Sequence, residues 1–170
     1  KANNFFNSDL TNKGLIKFFN QRNISNLKSF NLICSQLDKI TVKAWKMLGQ
    51  MINRMHKLER LSLDISQSKN LGLSLTLILQ ALVTLPHLIC LKISIDPDDK
   101  ITDKDFSFDD KTFQSQKQLK YLSLSFRTSL ITDDGLSKFS NALLQLTNLE
   151  ELEFDFHGCE GLTNEGIHYL

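Results

Sequence analysis

Apolar side chains recur along the chain in short triplets with the spacing L-x-x-L-x-L. The first residues of these triplets are separated by 31, 30, 31 and 30 positions. Internal repetition at such a period is typical of proteins that stack one structural unit on the next. The five triplets are Leu27-Phe30-Leu32, Leu58-Leu61-Leu63, Leu88-Leu91-Ile93, Leu119-Leu122-Leu124 and Leu149-Leu152-Phe154.

Alternation of apolar and polar residues continues beyond each triplet. A period of two predicts a β-strand with one face pointing inward. Five strands are therefore predicted, one in each repeat. Their inward residues are Phe30/Leu32/Cys34, Leu61/Leu63/Ile65, Leu91/Ile93/Ile95, Leu122/Leu124/Phe126 and Leu152/Phe154/Phe156.

A second pattern with the same period lies between the triplets, and it predicts helices. Each copy places a threonine before an apolar stretch with helical spacing, where the hydroxyl accepts a hydrogen bond from an early helical N–H. After Thr41, for example, Trp45, Leu48, Ile52 and Met55 line one face of a helix of about 12–14 residues. The copies begin at Leu10-Thr11, Ile40-Thr41, Leu71-Gly72 (without threonine, so with a weaker start), Ile101-Thr102, Ile131-Thr132 and Leu162-Thr163.

The fourth of these helices is the least regular. Phe106, Phe108 and Phe113 stand among polar and charged residues, with a polar tail after them. The segment is interpreted as a shorter helix or as partly loop, through ordinary variation between repeats. A contact site on the helical side is the functional alternative.

Together, the two patterns resemble the leucine-rich repeat superfamily, in particular its ribonuclease-inhibitor-like class. Ile131-Thr132-Asp133-Asp134-Gly135-Leu136 and Leu162-Thr163-Asn164-Glu165-Gly166-Ile167 are close to the class pattern L-T-D-E-G. The resemblance covers the chain from about Leu10 to Leu170. It implies an α/β solenoid, or horseshoe, with a parallel β-sheet on the concave face and α-helices on the convex face.

Two features depart from that class. The repeats are longer, similar to those of large leucine-rich proteins of protists. The class also has an Asn or Cys that binds the turn after the last leucine, whereas this chain is expected to anchor the turn with an apolar residue one position earlier (Ile65, Ile95, Phe126 and Phe156). The turn positions themselves are Ser35, Ser66, Asp96, Arg127 and His157.

Domain organisation follows from the repeats and from scarce Gly (7) and Pro (2). Residues 1–170 are interpreted as a single leucine-rich repeat domain of about five repeats with partial ends. Solenoids need end caps with polar outer faces, and neither end has one. The chain is therefore expected to be a fragment of a longer protein.

Charge and cysteine content limit the expected partners and the expected cellular compartment. With 20 basic and 19 acidic side chains the net charge is +1, which gives no reason to expect nucleic acid or a membrane as partner. The three widely spaced cysteines, Cys34, Cys90 and Cys159, fit a reducing compartment. Localisation is expected to be intracellular and cytoplasmic, with the cytoskeleton or cilium as further possibilities.

The outward residues of the predicted strands are the candidate binding surface. Tyr121 is its aromatic anchor, and the last strand carries three carboxylates that fit a basic partner. A solvated, charged edge is the simpler alternative. The candidate partner-binding residues are Arg60, Asp64, Lys92, Tyr121, Glu151, Glu153 and Asp155.

No catalytic, cofactor or metal site is predicted. His157 and Cys159 lie close in sequence, but their spacing fits no zinc pattern. The acidic stretch from Asp96 to Asp105 lacks the spacing of an EF-hand, so a solvated loop is expected there. Glycine-rich phosphate loops and nucleophile motifs are also missing from the sequence.

The expected function is that of a scaffold for protein–protein interaction, or of a structural subunit in a larger intracellular assembly such as a cytoskeletal or ciliary complex. The expected partner is one or more proteins. The alternative is a regulatory repeat region of an enzyme, linked to a kinase or activating a GTPase. A catalytic domain beside the repeats in a full-length sequence would favour that alternative.

Overall fold

The computed structural model describes residues 2–6, 11–20, 24–35, 40–66, 71–96, 101–106, 108 and 111–170. Within them, strands and helices alternate through most of the chain. The strands are β1 (Ala2–Phe6), β2 (Ser29–Ser35), β3 (Arg60–Ser66), β4 (Cys90–Asp96), β5 (Tyr121–Phe126) and β6 (Glu151–Asp155). The helices are α1 (Asn12–Phe19), α2 (Val42–Ile52), α3 (Gly72–Leu82), α4 (Asp133–Leu143) and α5 (Asn164–Ile167).

All six strands form one parallel sheet in the order β1-β2-β3-β4-β5-β6, so each strand lies beside its neighbours in sequence. The predicted α/β class with a parallel sheet is thereby confirmed. Strand β1 is additional to the five predicted strands, because it lacks the leucine triplet. Matching positions of successive repeats pair directly, as Leu91 does with Leu61 and Leu122.

The inward residues of β2 to β5 form the centre of the hydrophobic core, as predicted, and each is at most 4% exposed. Strand β6 differs. Leu152 is 42% exposed, and Phe154 and Phe156 are only half-buried. The predicted burial of Leu152 is wrong because β6 lies at the edge of the sheet, where its side chains have a neighbouring strand on one side only.

Helices α1, α2, α4 and α5 each begin directly after a predicted threonine. The capping bond predicted for Thr41 is not formed, because its hydroxyl donates to Asn12 at 3.2 Å instead. Thr11, Thr132 and Thr163 each accept a hydrogen bond from an N–H of the first helical turn. Helix α3 follows Leu71 and has no side-chain cap, in agreement with the weaker start expected there. Trp45 and the three other residues predicted for the buried face of α2 are all fully buried. Leu10 lies outside the described residues.

The fourth repeat forms no helix in its described residues, 101–106, 108 and 111–120. The backbone N–H groups of Asp105 and Phe106 both donate hydrogen bonds to the Thr102 carbonyl, which forms a single turn. Phe106 and Phe108 are both buried, although residues two apart point to nearly opposite sides of a helix. The loop interpretation is therefore correct for this part of the segment, and the Thr102-led helix is not formed there.

A cluster of phenylalanine rings fills the space beside this loop. The Phe106 ring lies 4.9 Å from Phe126 and 5.4 Å from Phe139, centroid to centroid. Phe108 packs 4.9 Å from Phe139. Edge-to-face and tilted contacts of this kind add to the free energy gained by burying the rings. We call this group the phenylalanine cluster; its members are Phe106, Phe108, Phe113, Phe126, Phe139, Phe154 and Phe156.

Apolar residues anchor the turns after the strands, as predicted. Ile65, Ile95 and Phe126 are at most 1% exposed, and Phe156 is half-buried. The side chain of Ser35 lies outside the described part of the chain. Two polar residues that the sequence analysis did not predict also anchor these turns, Ser129 and Cys159, each two positions after a turn residue. The Ser129 hydroxyl donates to the Phe126 carbonyl at 3.0 Å, and the Cys159 thiol donates to the same oxygen at 3.0 Å.

Candidate functional site on the exposed face of the sheet

The register of the sheet brings the outward strand residues into rows. We call the outward side chains of β2 to β6 the exposed strand face; at about 4.8 Å per strand it is on the order of 20 Å wide. All seven candidate partner-binding residues lie on it. The rows are Arg60-Cys90-Tyr121-Glu151, Ser62-Lys92-Ser123-Glu153 and Asp64-Ser94-Ser125-Asp155.

Tyr121 links three strands of this face, β4, β5 and β6. The Lys92 ammonium lies 4.4 Å from the centroid of the Tyr121 ring, at a cation–π distance. The Tyr121 hydroxyl donates a hydrogen bond to the Glu153 carboxylate. Ser123 pairs with both charged residues across the sheet, and its small side chain leaves room for the ring between them. We call this arrangement the Lys92–Tyr121–Glu153 cluster.

Electrostatics of the cluster favour the charged forms of both ends. The pKa of the Glu153 carboxyl is lowered, first by the hydrogen bond from Tyr121, then by one from Ser123 and by the charge of Lys92. The pKa of the Lys92 ammonium is raised, chiefly by hydrogen bonding with Tyr121. The cluster thus presents an anion and a cation on either side of an ordered aromatic ring.

Charge on the exposed strand face changes from one side to the other. Arg60 on β3 and Lys92 on β4 are each balanced by an acid of the same strand, Asp64 and Asp96, whereas β6 carries only carboxylates, Glu151, Glu153 and Asp155. Both glutamates are exposed. Asp155 accepts a hydrogen bond from Ser125 at 3.4 Å and lies 3.7 Å from Nε of Arg127, beyond the end of β5. Glu151 is exposed and has no ion pair within the described residues.

A strained turn lies at the rim of this face. Thr128 follows β5 with a φ of +56°, and Gly158 has a φ of +76° at the matching position after β6. A β-branched residue rarely adopts such a conformation. The Thr128 hydroxyl donates to Asp96 at 3.0 Å, which ties the turn to the end of β4.

Sequence reasoning missed the contacts within the cluster because they run diagonally between strands. The repeat period places Tyr121 beside Cys90 and Glu151, whereas its partners are one row away. Superposing the repeats in register and inspecting diagonal neighbours would have found them. The positive φ of Thr128 was also missed, because a threonine in the sequence gives no sign of such a backbone conformation.

No group of three or more His, Cys, Asp or Glu side chains that could hold a metal ion is present among the residues described above. Cys159 is buried and His157 is exposed, so the two side chains face different surroundings. Of the acidic stretch, residues 97–100 lie outside the described residues. None of the helices described is long and apolar enough to cross a bilayer.

Comparison with protein-family models finds no family that matches the chain, and comparison with curated proteins finds no match either. The geometry of the exposed strand face is what bears on its function. Three properties matter for that purpose: an ordered tyrosine, small serines around it, and charges that differ between the two sides of the face.

Proposed function

We propose that the chain is a leucine-rich repeat solenoid of the ribonuclease-inhibitor-like class and acts as a scaffold for protein–protein interaction, or as a structural subunit of a larger intracellular assembly. The sequential order of the parallel strands and the direct pairing of matching repeat positions support the solenoid. A stack of such units forms a horseshoe with the sheet on its concave side. The free thiols of Cys34, Cys90 and Cys159 fit a reducing compartment.

The Lys92–Tyr121–Glu153 cluster is the observation that carries the binding role. Tyrosines held in place by neighbours are frequent centres of protein interfaces, because they bury a large area and lose little conformational entropy. Here the ring is fixed before any partner arrives, by a lysine on one side and a glutamate on the other. Binding therefore costs little ordering of this side chain.

The partner is a protein whose contacting segment is basic. Glu151, Glu153 and Asp155 lie along β6, next to β5, the strand that holds Tyr121. Opposite charges on the partner speed encounter and fix its orientation. Ser94, Ser123 and Ser125 are small and allow the partner to approach the sheet closely.

Affinity capture from a native extract, quantified by mass spectrometry, tests this role. The wild-type chain is compared with Tyr121→Ala and with the double variant Glu151→Lys/Glu153→Lys. Matched controls are Tyr169→Ala, an exposed tyrosine away from the strand face, and Glu160→Lys/Glu165→Lys, which changes the same charge on exposed glutamates elsewhere.

We expect proteins captured by the wild-type chain to be lost with both strand-face variants and retained with both controls. Circular dichroism confirms that each variant is folded. If no protein is enriched by the wild-type chain, or if all variants capture the same proteins, the scaffold role at this face is wrong.

A further inference from the structure

The residues that immediately precede strands β2 to β6 form a row across the sheet. This row lies at the amino ends of the strands, whereas the strained turn lies at their carboxyl ends. The backbone carbonyl of each of the first four members accepts a hydrogen bond from the N–H of the next member, as that of Ile89 does from Lys120 at 2.9 Å. Ion pairs join two neighbouring couples, Lys28–Glu59 at 2.7 Å and Lys120–Glu150 at 2.5 Å. Ile89 stands between the two pairs and interrupts the alternation of charge. The row is Lys28, Glu59, Ile89, Lys120 and Glu150.

Two adjoining clefts flank Ile89. One has a volume of about 330 Å³ and the other about 390 Å³, and both are lined by Ile89 and Gln118. Lys57 and His87 line the first cleft, together with the Lys28–Glu59 pair. Lys117 lines the second, together with the Lys120–Glu150 pair. A continuous depression therefore runs along this edge, with an aliphatic floor in the middle and cations on both sides.

Charge in this depression is positive. Its lining has four lysines and two glutamates, which gives +4 − 2 = +2 with His87 neutral. Both glutamates are paired with the lysines of the row. Lys57 and Lys117 are exposed and have no carboxylate partner within the described residues; Lys117 donates to the Gln145 carbonyl at 3.1 Å. The net charge of +1 for the whole chain conceals this local excess.

We infer that this edge binds an acidic peptide segment that places one apolar side chain on Ile89 and carboxylates on Lys57 and Lys117. The two lysines precede β3 and β5, two strand spacings apart, or about 10 Å. An extended peptide covers that distance in about three residues. The peptide therefore carries acidic residues about three positions apart with an apolar residue between them.

Nucleic acid fits this edge less well than an acidic peptide does. Glu59 and Glu150 line the clefts, and their carboxylates oppose a continuous row of phosphates. The floor is an isoleucine, whereas single-stranded nucleic acid binds on aromatic platforms. The edge adjoins the row of Tyr121, whose N–H donates to the Ile89 carbonyl at 3.1 Å. The Tyr121 side chain contacts Lys92 and Glu153, one row further from the edge, so this site is additional to the scaffold role of the exposed strand face.

Fluorescence anisotropy with a labelled peptide tests the site. The probe is EEEELEEEE; QQQQLQQQQ and EEEESEEEE are its controls, all at about 150 mM salt, where exposed charges are substantially screened. The protein variants are Lys57→Gln/Lys117→Gln and Ile89→Ser. The matched control is Lys104→Gln/Lys138→Gln, which removes the same charge from exposed lysines elsewhere.

We expect Lys57→Gln/Lys117→Gln to weaken binding of EEEELEEEE about tenfold and the control variant to change it less than about twofold. Ile89→Ser should weaken binding of EEEELEEEE and leave EEEESEEEE unchanged. Tyr121→Ala should leave both affinities unchanged, which separates this site from the exposed strand face.

Four results would overturn the inference. Equal binding of EEEELEEEE and QQQQLQQQQ would show that charge is not recognised. Equal affinities of Lys57→Gln/Lys117→Gln and its control would place the peptide elsewhere. Light scattering that shows self-association abolished by Lys57→Gln/Lys117→Gln would assign the edge to a second copy of the chain, and tighter binding of oligo-dT than of the peptide would assign it to nucleic acid.

Discussion

Asp133 binds Thr163, 30 positions later in the chain, through both of its carboxylate oxygens. One oxygen accepts the Thr163 backbone N–H at 2.9 Å and the other accepts the hydroxyl at 2.6 Å. Asp103 binds Thr132 in the same way, at 2.8 and 2.7 Å. Each pair joins the helix start or turn of one repeat to the helix start of the next. We call these contacts the Asp–Thr bridges.

The Asp103 bridge explains why position 135 is a glycine. A Cβ at Gly135 would lie 2.2 Å from an Asp103 carboxylate oxygen, so Gly135→Ala must displace this side chain. We expect Gly135→Ala to lower the free energy of unfolding by about 1–3 kcal/mol in the wild-type background. With Asp103→Ala present, the same change should be neutral or stabilising, since alanine is the better helix former. Urea unfolding of the four proteins measures the coupling.

Equal effects of Gly135→Ala in both backgrounds would contradict this coupling. Ala44 occupies the matching position of the second repeat, beside Asn12, which binds Thr41 at 2.9 Å. An unchanged stability would therefore mean that Asp103 adjusts to a neighbouring methyl group as Asn12 does.

The Asp133 bridge should make stability depend on acid pH. Hydrogen bonds from Thr163, through its hydroxyl and then its N–H, lower the pKa of Asp133 below its ordinary value of 3.8. A lowered pKa in the folded state stabilises it above the unfolded pKa, and this stabilisation disappears as the pH falls through the folded value. Asp133→Asn should therefore lower the melting temperature at pH 7, and this effect should shrink as the pH falls below 3.8 and through the lowered pKa of the folded state.

Asp134→Asn is the matched control, because it removes the same charge from the next residue of α4. Its effect on the melting temperature should be smaller at pH 7. A difference between wild type and Asp133→Asn that persists unchanged at low pH would show that the carboxylate charge does not matter.

Titration of Glu153 reports on the Lys92–Tyr121–Glu153 cluster. Tyr121→Phe removes the hydrogen bond that lowers the pKa of Glu153 most, so this pKa should rise toward its ordinary value. Ser123→Ala should raise it less, because its hydrogen bond contributes less. Carbon-13 NMR of the glutamate carboxyl measures the pKa in each protein. A larger effect of Ser123→Ala than of Tyr121→Phe would mean that the ring is not held as described.

The cysteines should differ in reactivity toward a thiol reagent such as DTNB. Burial, and then the charge of Asp64, raises the pKa of the Cys34 thiol to about 12. The thiolate is the reactive form, so Cys34 should react only after unfolding. Cys90 is half-buried on the exposed strand face, and its raised pKa slows the reaction without blocking access. The first thiol to react should therefore be Cys90, and Cys90→Ser should remove that phase; a fast phase that survives this change would contradict the assignment.

Much of the sheet could be predicted because backbone pairing and burial impose a strict alternation on the sequence. Leu61, Leu91 and Leu122 had to point inward once the period of two was recognised, and they pair in register. The threonines were similarly informative, since a helix start needs an acceptor for its first N–H groups.

Other features depend on tertiary packing that periodicity does not record. Phe106 and Phe108 keep the fourth repeat out of a helix because both rings are buried in the phenylalanine cluster. For the candidate site, the sequence placed Tyr121 and the acidic strand on one face but did not predict how Lys92 and Glu153 hold the ring. The basic edge around Ile89 was missed because a sum over the whole chain averages out local charge.

The phenylalanine cluster affects which repeats pair with each other when the chain folds. Repeats with interchangeable side chains allow one unit to dock in the place of another, and a strand shifted by a whole repeat would still bury leucines. Phe106 contacts Phe126 in the strand of its own, fourth repeat and Phe139 in α4 of the fifth repeat. The positions of β2 to β4 that match Phe126 hold Cys34, Ile65 and Ile95, which are not aromatic. A shift by one repeat would break these contacts. The cluster therefore favours the correct pairing of the fourth and fifth repeats over pairings shifted by one repeat.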